Sequence, residues 1–322
     1  MRYRVKGVFL NKTSLHKLLL PLLGMVISAS TVSAREVSLY AGGSISSANI
    51  TVYPWGSGTI KEDATTGFQT TKSILVTSPG SFAGGFIRFA QATSLGDPSS
   101  VTQYDYLEFE VKFKIVTPLG ISPSGNAKPV NGEYVKLPLD IAGGNYDLEE
   151  LPQVPKARTL KAVIYSDDGR VLEQEMPIVL KQTDEDGWFA VAFPLAGFGI
   201  TSASPEFKVV RMALSSEFPD SFNVGQIRVI TDDSPIFLDS LGADQSVAPT
   251  DVLVFQGIAE AGKTSLLYSW DFNETDGIQE DAQGILVKTT YKTAGTYVVT
   301  LTVKDPSGIK KPASTKVSIE VL

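Results

Sequence analysis

Residues 106–115 read Tyr-Leu-Glu-Phe-Glu-Val-Lys-Phe-Lys-Ile, a run in which apolar and charged side chains alternate without a break. Successive side chains of a β-strand point to opposite faces of a sheet, so this run predicts a strand with one face in a core and the other in water. No segment after residue 35 sustains the 3.6-residue apolar period of a helix over three turns. The sequence therefore predicts an all-β protein.

Short β-branched and aromatic runs, bounded by turn-forming residues, recur along the chain. The clearest is a hairpin in which residues 160–166 and 171–175 are joined through Asp-Asp-Gly-Arg. Further strands are predicted at residues 36–40, 50–53, 73–77, 85–90, 188–193, 207–215 and 224–231. Nine or ten strands in about 200 residues are typical of a two-sheet β-sandwich.

The first 34 residues have the three parts of a secretory signal peptide. Five basic residues are followed by an apolar run at 18–27 and by small residues that end at Ala34. The alternative is a membrane anchor, but the apolar run is shorter than the roughly 18 to 20 residues that span a bilayer. We therefore expect cleavage after Ala34, a secreted or cell-surface product, and no membrane insertion of the mature chain.

The residue types that are missing exclude several kinds of chemistry. The 322-residue chain has no Cys, and its single histidine, His16, lies in the predicted signal peptide. Thiolate metal sites, disulfides, cysteine nucleophiles and Ser-His-Asp triads are therefore excluded. Without residues 1–34, 23 basic residues face 35 acidic ones, a net charge of −12 that disfavours nucleic acid as a partner. No cofactor is required by any motif.

A turn-rich stretch at 232–250 divides the mature chain into predicted domains at 35–239 and 242–322. Within the first, the strand pattern lapses for 41 residues at 117–157. This connection holds Tyr134 and Tyr146 among several carboxylates, which could serve a saccharide or a calcium ion. A solvated insertion is the alternative interpretation.

The C-terminal region carries two ordered blocks. The first is Tyr-Ser-Trp-Asp-Phe at 268–272 with Asp-Gly at 276–277, and the second is Ala-Gly-Thr-Tyr-Val-Val-Thr-Leu-Thr-Val-Lys-Asp at 294–305. These blocks resemble the PKD domain, an immunoglobulin-like β-sandwich. The resemblance implies an extracellular spacer or adhesive module without catalytic residues. Residues 273–275 depart from the family pattern, which has a single Gly there.

Three blocks of the N-terminal region resemble jelly-roll carbohydrate-binding modules of the galactose-binding-like type. They are Gly-Trp-Phe-Ala-Val-Ala-Phe-Pro-Leu at 187–195, the run at 222–231 and the run at 104–113. The resemblance implies a jelly-roll-like sandwich that binds a saccharide on a sheet face or on edge loops, often with a structural calcium ion.

Saccharides stack on aromatic rings, so aromatic residues in polar surroundings are the candidate ligand-binding groups. Tyr53 and Trp55 fit best, because Pro54 and Gly56 are expected to end the strand and leave Trp55 at a tip. The alternative is that Trp55 packs under a loop. Tyr104 could flank a sheet-face site or pack across strands. The candidate ligand-binding residues are Tyr53, Trp55, Tyr104, Tyr134 and Tyr146.

Two carboxylate pairs are candidates for other roles. Glu108 and Glu110 lie on one face of a strand about 6 to 7 Å apart, a separation that suits a glycosidase. The continuing Lys112 and Lys114 favour a solvated face with cross-strand ion pairs instead. Asp232 and Asp233 could ligate calcium through hard oxygen ligands or serve as turn residues.

The sequence thus predicts a secreted, non-enzymatic protein of two all-β domains, a jelly-roll-like sandwich followed by a PKD-like one. Its expected function is to bind an extracellular polysaccharide or cell-surface glycan, or an extracellular protein partner. The alternatives are a glycoside hydrolase or lyase, and a structural component of a surface layer or matrix.

Overall fold

The computed structural model describes residues 36–114, 158–178, 187–217 and 219–322. The predicted signal peptide, and Tyr134 and Tyr146 in the long connection, lie outside these residues. Within the described ranges, the chain forms no helix that is long and apolar enough to cross a membrane.

The first sandwich contains strands β1 to β11 among the described residues. Their bounds are Glu36–Tyr40 (β1), Ile50–Trp55 (β2), Thr59–Asp63 (β3), Ser73–Ser78 (β4), Gly84–Gly96 (β5), Asp105–Lys114 (β6), Arg158–Ser166 (β7), Val171–Ile178 (β8), Phe189–Pro194 (β9), Phe207–Ser216 (β10) and Asp220–Thr231 (β11). A 3₁₀ turn at Leu195–Phe198 follows β9.

Two antiparallel sheets share these strands. Sheet I has the order β3-β4-β11-β6-β9, with β1 also paired to β11, and sheet II has the order β2-β5-β10-β7-β8. From β4 to β11 the chain crosses to the other sheet at every step except the β7–β8 hairpin. Four strands of sheet I, β4-β11-β6-β9, thus face four of sheet II, β5-β10-β7-β8, which is the arrangement of a jelly roll. The predicted all-β, jelly-roll-like sandwich is confirmed.

The two-residue period decides which side chains fill the space between the sheets. Leu107, Phe109 and Val111 of β6 are fully buried in a core that they share with Ile87 and Met212 of sheet II. The residues between them on each strand point away from this core. Each sheet therefore has an outer face, and the two outer faces carry very different side chains.

The second sandwich contains the remaining strands. Their bounds are Phe237–Leu238 (β12), Gln245–Val247 (β13), Val252–Gln256 (β14), Ala259–Glu260 (β15), Leu267–Asp271 (β16), Ala282–Gln283 (β17), Leu286–Thr290 (β18), Gly295–Lys304 (β19) and Ala313–Val321 (β20). One sheet has the order β13-β20-β19-β16-β17, in which β13 runs parallel to β20, and β14 pairs with β18. β12 pairs with β15, so this sandwich includes residues ahead of the predicted start at 242.

Trp270 is the centre of the second core. Its side chain is fully buried, its indole Nε1 donates a hydrogen bond to the Gly284 carbonyl at 2.7 Å, and its ring lies 5.9 Å from that of Phe255. Apolar side chains also alternate along β19, and Val299 and Leu301 are buried against this core.

The turn after β16 accommodates the departure at residues 273–275. Asp271 accepts hydrogen bonds from the backbone N–H groups of Asn273 at 2.7 Å and Gln279 at 3.3 Å, so its carboxylate caps the turn. The extra residues form a 3₁₀ turn at Glu274–Asp276, and the Asn273 side chain accepts from the backbone N–H of Thr275 at its start.

Trp188 is buried, but outside the main core. It packs on the outer face of sheet I, with its ring 5.6 Å from that of Phe68. A Cβ added to Gly225 would come within 2.8 Å of the Trp188 ring, so glycine is required at this irregular point of β11.

Replacing Trp270 with Ala should lower the free energy of unfolding of the second sandwich by about 3–5 kcal/mol, because the change opens a cavity and leaves the Gly284 carbonyl without its donor. Urea denaturation followed by circular dichroism measures the loss. Phe237→Ala is the matched control, since Phe237 is 65% exposed, and it should change stability by less than about 0.5 kcal/mol. Equal losses in the two variants would contradict the assignment of Trp270 to the core.

Candidate functional site: the outer face of sheet II

The outer face of sheet II carries a row of aromatic side chains. Tyr53 of β2 lies directly opposite Phe86 of β5, and Tyr165 of β7 projects from the same side of the sheet. Their strand neighbours Ile87 and Ile164 point into the core, so these rings point away from it. Trp55 ends β2 on the same side. All four rings are partly exposed.

The rings contact one another across the strands. Phe86 is central, with its ring centroid 4.9 Å from that of Tyr53 in a stacked pair, 5.6 Å from Trp55 and 5.8 Å from Tyr165. Phe82, which is 58% exposed, meets Trp55 edge to face at 6.2 Å. We call these five residues the aromatic face. Mutual contact restricts their rotation, so the aromatic face is organised before any ligand arrives.

Two arginines adjoin the aromatic face. The Arg211 guanidinium lies 4.1 Å from the centroid of Tyr165 and 5.2 Å from that of Phe86, and it donates a hydrogen bond to the Tyr53 hydroxyl at 3.4 Å. Arg88 is exposed and lies directly opposite Arg211 in the register of β5 and β10. Arg88 and Thr51 also line a shallow depression of about 300 Å³.

Polar groups complete the outer face toward its β8 edge. Lys161 is buried with its ammonium 3.9 Å from the centroid of Phe82, and it forms an ion pair with Glu173 at 3.2 Å. Thr159 donates a hydrogen bond to Glu175. Flat rings for stacking, beside donors that can reach hydroxyl or carboxylate oxygens, form a surface suited to a saccharide.

The outer face of sheet I is covered instead. Glu108 is fully buried and pairs with Arg228, its partner across β6 and β11. Lys263 of the second sandwich places its ammonium 3.0 Å from Glu110 and 3.3 Å from Glu108. Burial raises the pKa of Glu110 although Lys263 opposes the shift. Burial acts to lower the pKa of Lys263, but the two carboxylates outweigh it and raise that pKa.

Asp232 forms a second pair at the same junction. It accepts from the Lys310 ammonium at 2.9 Å and from the Lys263 backbone N–H at 2.7 Å, and Lys310 also donates to the Ala261 carbonyl at 2.7 Å. Burial acts to raise the pKa of Asp232, but the hydrogen bond from Lys310 holds it below its usual value. We call this set the junction cluster, made of Glu108, Glu110, Arg228, Asp232, Lys263 and Lys310.

The junction cluster corrects one expectation and bears on another. Glu108 and Glu110 were expected on a solvated face, and that part is wrong, because residues of the second sandwich cover both side chains. Their expected ion pairing is present. Asp232 and Asp233 were candidate calcium ligands. The ammonium group of Lys310 lies against Asp232, and Asp233 is exposed. Among the described residues, no group of three or more His, Cys, Asp or Glu side chains could hold a metal ion.

The candidate aromatic residues divide between the two outer faces. Tyr53 and Trp55 come together on sheet II, although Trp55 was expected at a loop tip and instead belongs to β2, which continues through Pro54. Tyr104 packs at the junction, beside Tyr106 and Ile309 of the second sandwich. Tyr104 is therefore part of the contact between the sandwiches rather than of the aromatic face.

Four residues of this surface were not among the candidates predicted from the sequence, namely Phe86, Tyr165, Arg88 and Arg211. Each lies on a predicted strand and alternates with core residues, so the two-residue period placed it on an outer face. The pairing of β10 with both β5 and β7 brings the four together, and the β5–β10 pairing joins segments more than 100 residues apart.

Comparison with known proteins identifies the second sandwich. A family model described as the PKD domain matches residues 233–321, so this part of the chain is a PKD domain, as its motifs predicted. The PKD domain of the human VPS10 domain-containing receptor SorCS2 is similar at 18% identity, covering 28% of this chain and 76% of that chain, with a TM-score of 0.21.

Two other structures are similar over more of the chain. A β-1,2-glucanase from Parabacteroides distasonis matches at 13% identity, covering 88% of this chain and 38% of that chain, with a TM-score of 0.33. The N-terminal four Ig domains of Dscam1 isoform 4.44 match at 10% identity, covering 51% of this chain and 38% of that chain, with a TM-score of 0.24. The chain thus spans about 38% of the length of the glucanase it matches. No curated protein matches it.

Replacing Lys310 with Met should lower the free energy of unfolding by about 3–5 kcal/mol near pH 7, because it leaves the buried Asp232 carboxylate without its cation. The ion pair stabilises the wild type above the unfolded-state pKa of Asp232 and is lost as the pH falls through the lowered folded-state pKa. In the variant, burial without the ammonium raises the pKa of Asp232. The difference in unfolding free energy between the wild type and the variant should therefore become smaller as the pH falls from about 7 toward about 4.

Urea denaturation at a series of pH values measures this effect. Lys311→Met is the matched control, since Lys311 is exposed and adjacent in sequence. The assigned pairing of Asp232 would be contradicted if the stability lost in Lys310→Met grew on acidification. It would also be contradicted if Lys311→Met lost as much stability as Lys310→Met.

Proposed function

We propose that the protein binds an extracellular polysaccharide through the aromatic face of sheet II, with the PKD domain as a spacer or adhesive module. The observation that carries the proposal is the cluster of partly exposed rings around Phe86, which lies outside the core of the first sandwich. Secretion after cleavage behind Ala34 belongs to the same proposal, as does the resemblance of the first sandwich to carbohydrate-binding modules.

The chemistry of the aromatic face supports this choice of ligand. Saccharide rings present C–H groups on their faces and hydroxyls at their edges, so they combine stacking with in-plane hydrogen bonds. Tyr53, Trp55 and Phe86 offer surfaces for stacking, and Arg211 offers donors beside them. Because the rings already pack on one another, little side-chain entropy is lost when a ligand stacks on them.

The placement of Glu108 and Glu110 supports a binding protein over a glycosidase that would use this pair. A glycosidase needs two carboxyl groups on either side of an accessible glycosidic bond. Glu108 and Glu110 are buried against the PKD domain and paired with cations, so a sugar chain has no access to them. Neither carboxylate lies on the aromatic face.

Replacing Trp55 with Ala should weaken polysaccharide binding by about tenfold, because one stacking surface is lost, while the melting temperature stays within about 2 °C of the wild type. The mature chain, residues 35–322, is screened against soluble and insoluble polysaccharides. Released reducing sugar and unsaturated products are assayed in the same wells. Phe237→Ala is the control, because it removes an exposed ring far along the chain in the PKD domain.

The possible results separate the alternatives. Binding without product, weakened by Trp55→Ala alone, supports the proposal. If Trp55→Ala loses several kcal/mol of stability and still binds, Trp55 stabilises the fold and the binding site lies elsewhere. Product formation would show that the protein is an enzyme. Self-association without any glycan affinity would instead favour a component of a surface layer or matrix.

A further inference from the structure

The two arginines beside the aromatic face have an arrangement that needs an explanation. Arg88 and Arg211 are register partners on adjacent antiparallel strands, and directly opposite residues of this kind have Cβ atoms about 4.5–5.5 Å apart. Like charges placed in this way destabilise a sheet. Within the described part of the chain, neither arginine forms an ion pair that would offset the repulsion.

Other charged side chains on this side of sheet II have partners within the protein. Lys161 pairs with Glu173, and Glu175 accepts a hydrogen bond from Thr159. The local positive charge of the two arginines also stands out against the whole chain, which has a net charge of −7. Two adjacent cations without counter-ions, on an acidic protein, form a site for an anion.

We propose that the ligand of the aromatic face is an acidic polysaccharide, in which the carboxylate of a uronate residue binds between Arg88 and Arg211 while neighbouring sugar rings stack on Tyr53, Trp55 and Phe86. This inference rests on the proposed function and names its ligand class. The planar guanidinium matches a carboxylate, to which it can donate two parallel hydrogen bonds.

The spacing of the face fits such a ligand. Arg88 lies two residues along β5 from Phe86, so the arginine row and the ring row are about 6 to 7 Å apart, as successive same-face residues of a strand are. Arg211 is held in position by its contacts with Tyr165, Phe86 and the Tyr53 hydroxyl. Arg88 is exposed and adjoins the shallow depression, which leaves room for a substituent of the sugar ring.

The test compares polymers that differ in charge alone. Binding of the mature chain to polygalacturonate and to its methyl ester is measured at about 0.1 M ionic strength, with dextran sulfate and dextran as a second pair. We expect polygalacturonate to bind at least tenfold more tightly than its methyl ester. Arg88→Gln should lower the affinity for polygalacturonate by about tenfold and leave the affinity for the ester unchanged, because it removes one charge-assisted contact.

Four further variants sharpen the result. Arg211→Lys keeps the positive charge but loses the planar guanidinium that can donate two parallel hydrogen bonds. Its affinity for polygalacturonate should therefore lie between those of the wild type and Arg211→Gln. The double variant Lys304→Gln with Lys311→Gln removes two exposed charges of the PKD domain and should have no effect on either polymer. Trp55→Ala should weaken binding of the acid and the ester alike, since stacking does not depend on the carboxylate.

The outcomes distinguish this inference from the proposed function. Equal affinity for polygalacturonate and its ester, with both weakened by Trp55→Ala, would overturn the uronate assignment and leave polysaccharide binding in place. Dextran sulfate binding as tightly as polygalacturonate, or an equal loss in the PKD-domain double variant, would also overturn it, since either result indicates general attraction between charges. Failure to bind any polymer of the panel would overturn both proposals.

Discussion

The buried ion pairs between the two sandwiches determine which surface of the protein is open. Asp232 and Glu108 could not be buried as charged groups without cations, and Lys310, Lys263 and Arg228 supply them. Because two of these cations come from the PKD domain, that domain covers the part of the outer face of sheet I that carries Glu108 and Glu110. Sheet II, on the opposite side of the core, has no such cover from the residues described, so its aromatic side chains remain in contact with solvent.

The sequence was sufficient to predict the parts of the fold that depend on local patterns. Alternation identified β6 and the β7–β8 hairpin, and the spacing of Trp270, Asp271 and the strand that became β19 identified the PKD domain. β3 was missed because its five residues, Thr-Ile-Lys-Glu-Asp, contain a single apolar side chain. It pairs at the edge of sheet I, where Ile60 is its one buried apolar side chain.

The candidate site could be predicted only in part, because a strand's own residues indicate that it has an outer face but not what lies against that face. Glu108 and Glu110 have the pattern of a solvated surface, and the residue that buries them, Lys263, is more than 150 residues further along the chain. Tyr53 and Trp55 were identified from their residue types. Phe86 and Arg211 complete the surface only through strand pairing, which no local pattern specifies.

The two outer faces bring like charges together and resolve the repulsion differently. On sheet I, Glu108 and Glu110 share one face of β6, and their charges are offset within the protein by Arg228 and Lys263. On sheet II, Arg88 and Arg211 lie side by side, and the groups that contact Arg211, the rings of Tyr165 and Phe86 and the Tyr53 hydroxyl, are neutral. Neutral groups stabilise a cation without cancelling its charge, and a cation–π contact contributes about 0.5–1 kcal/mol at an exposed site. The repulsion between the arginines is therefore offset only in part within the protein, and an anionic group of a bound ligand would remove what remains.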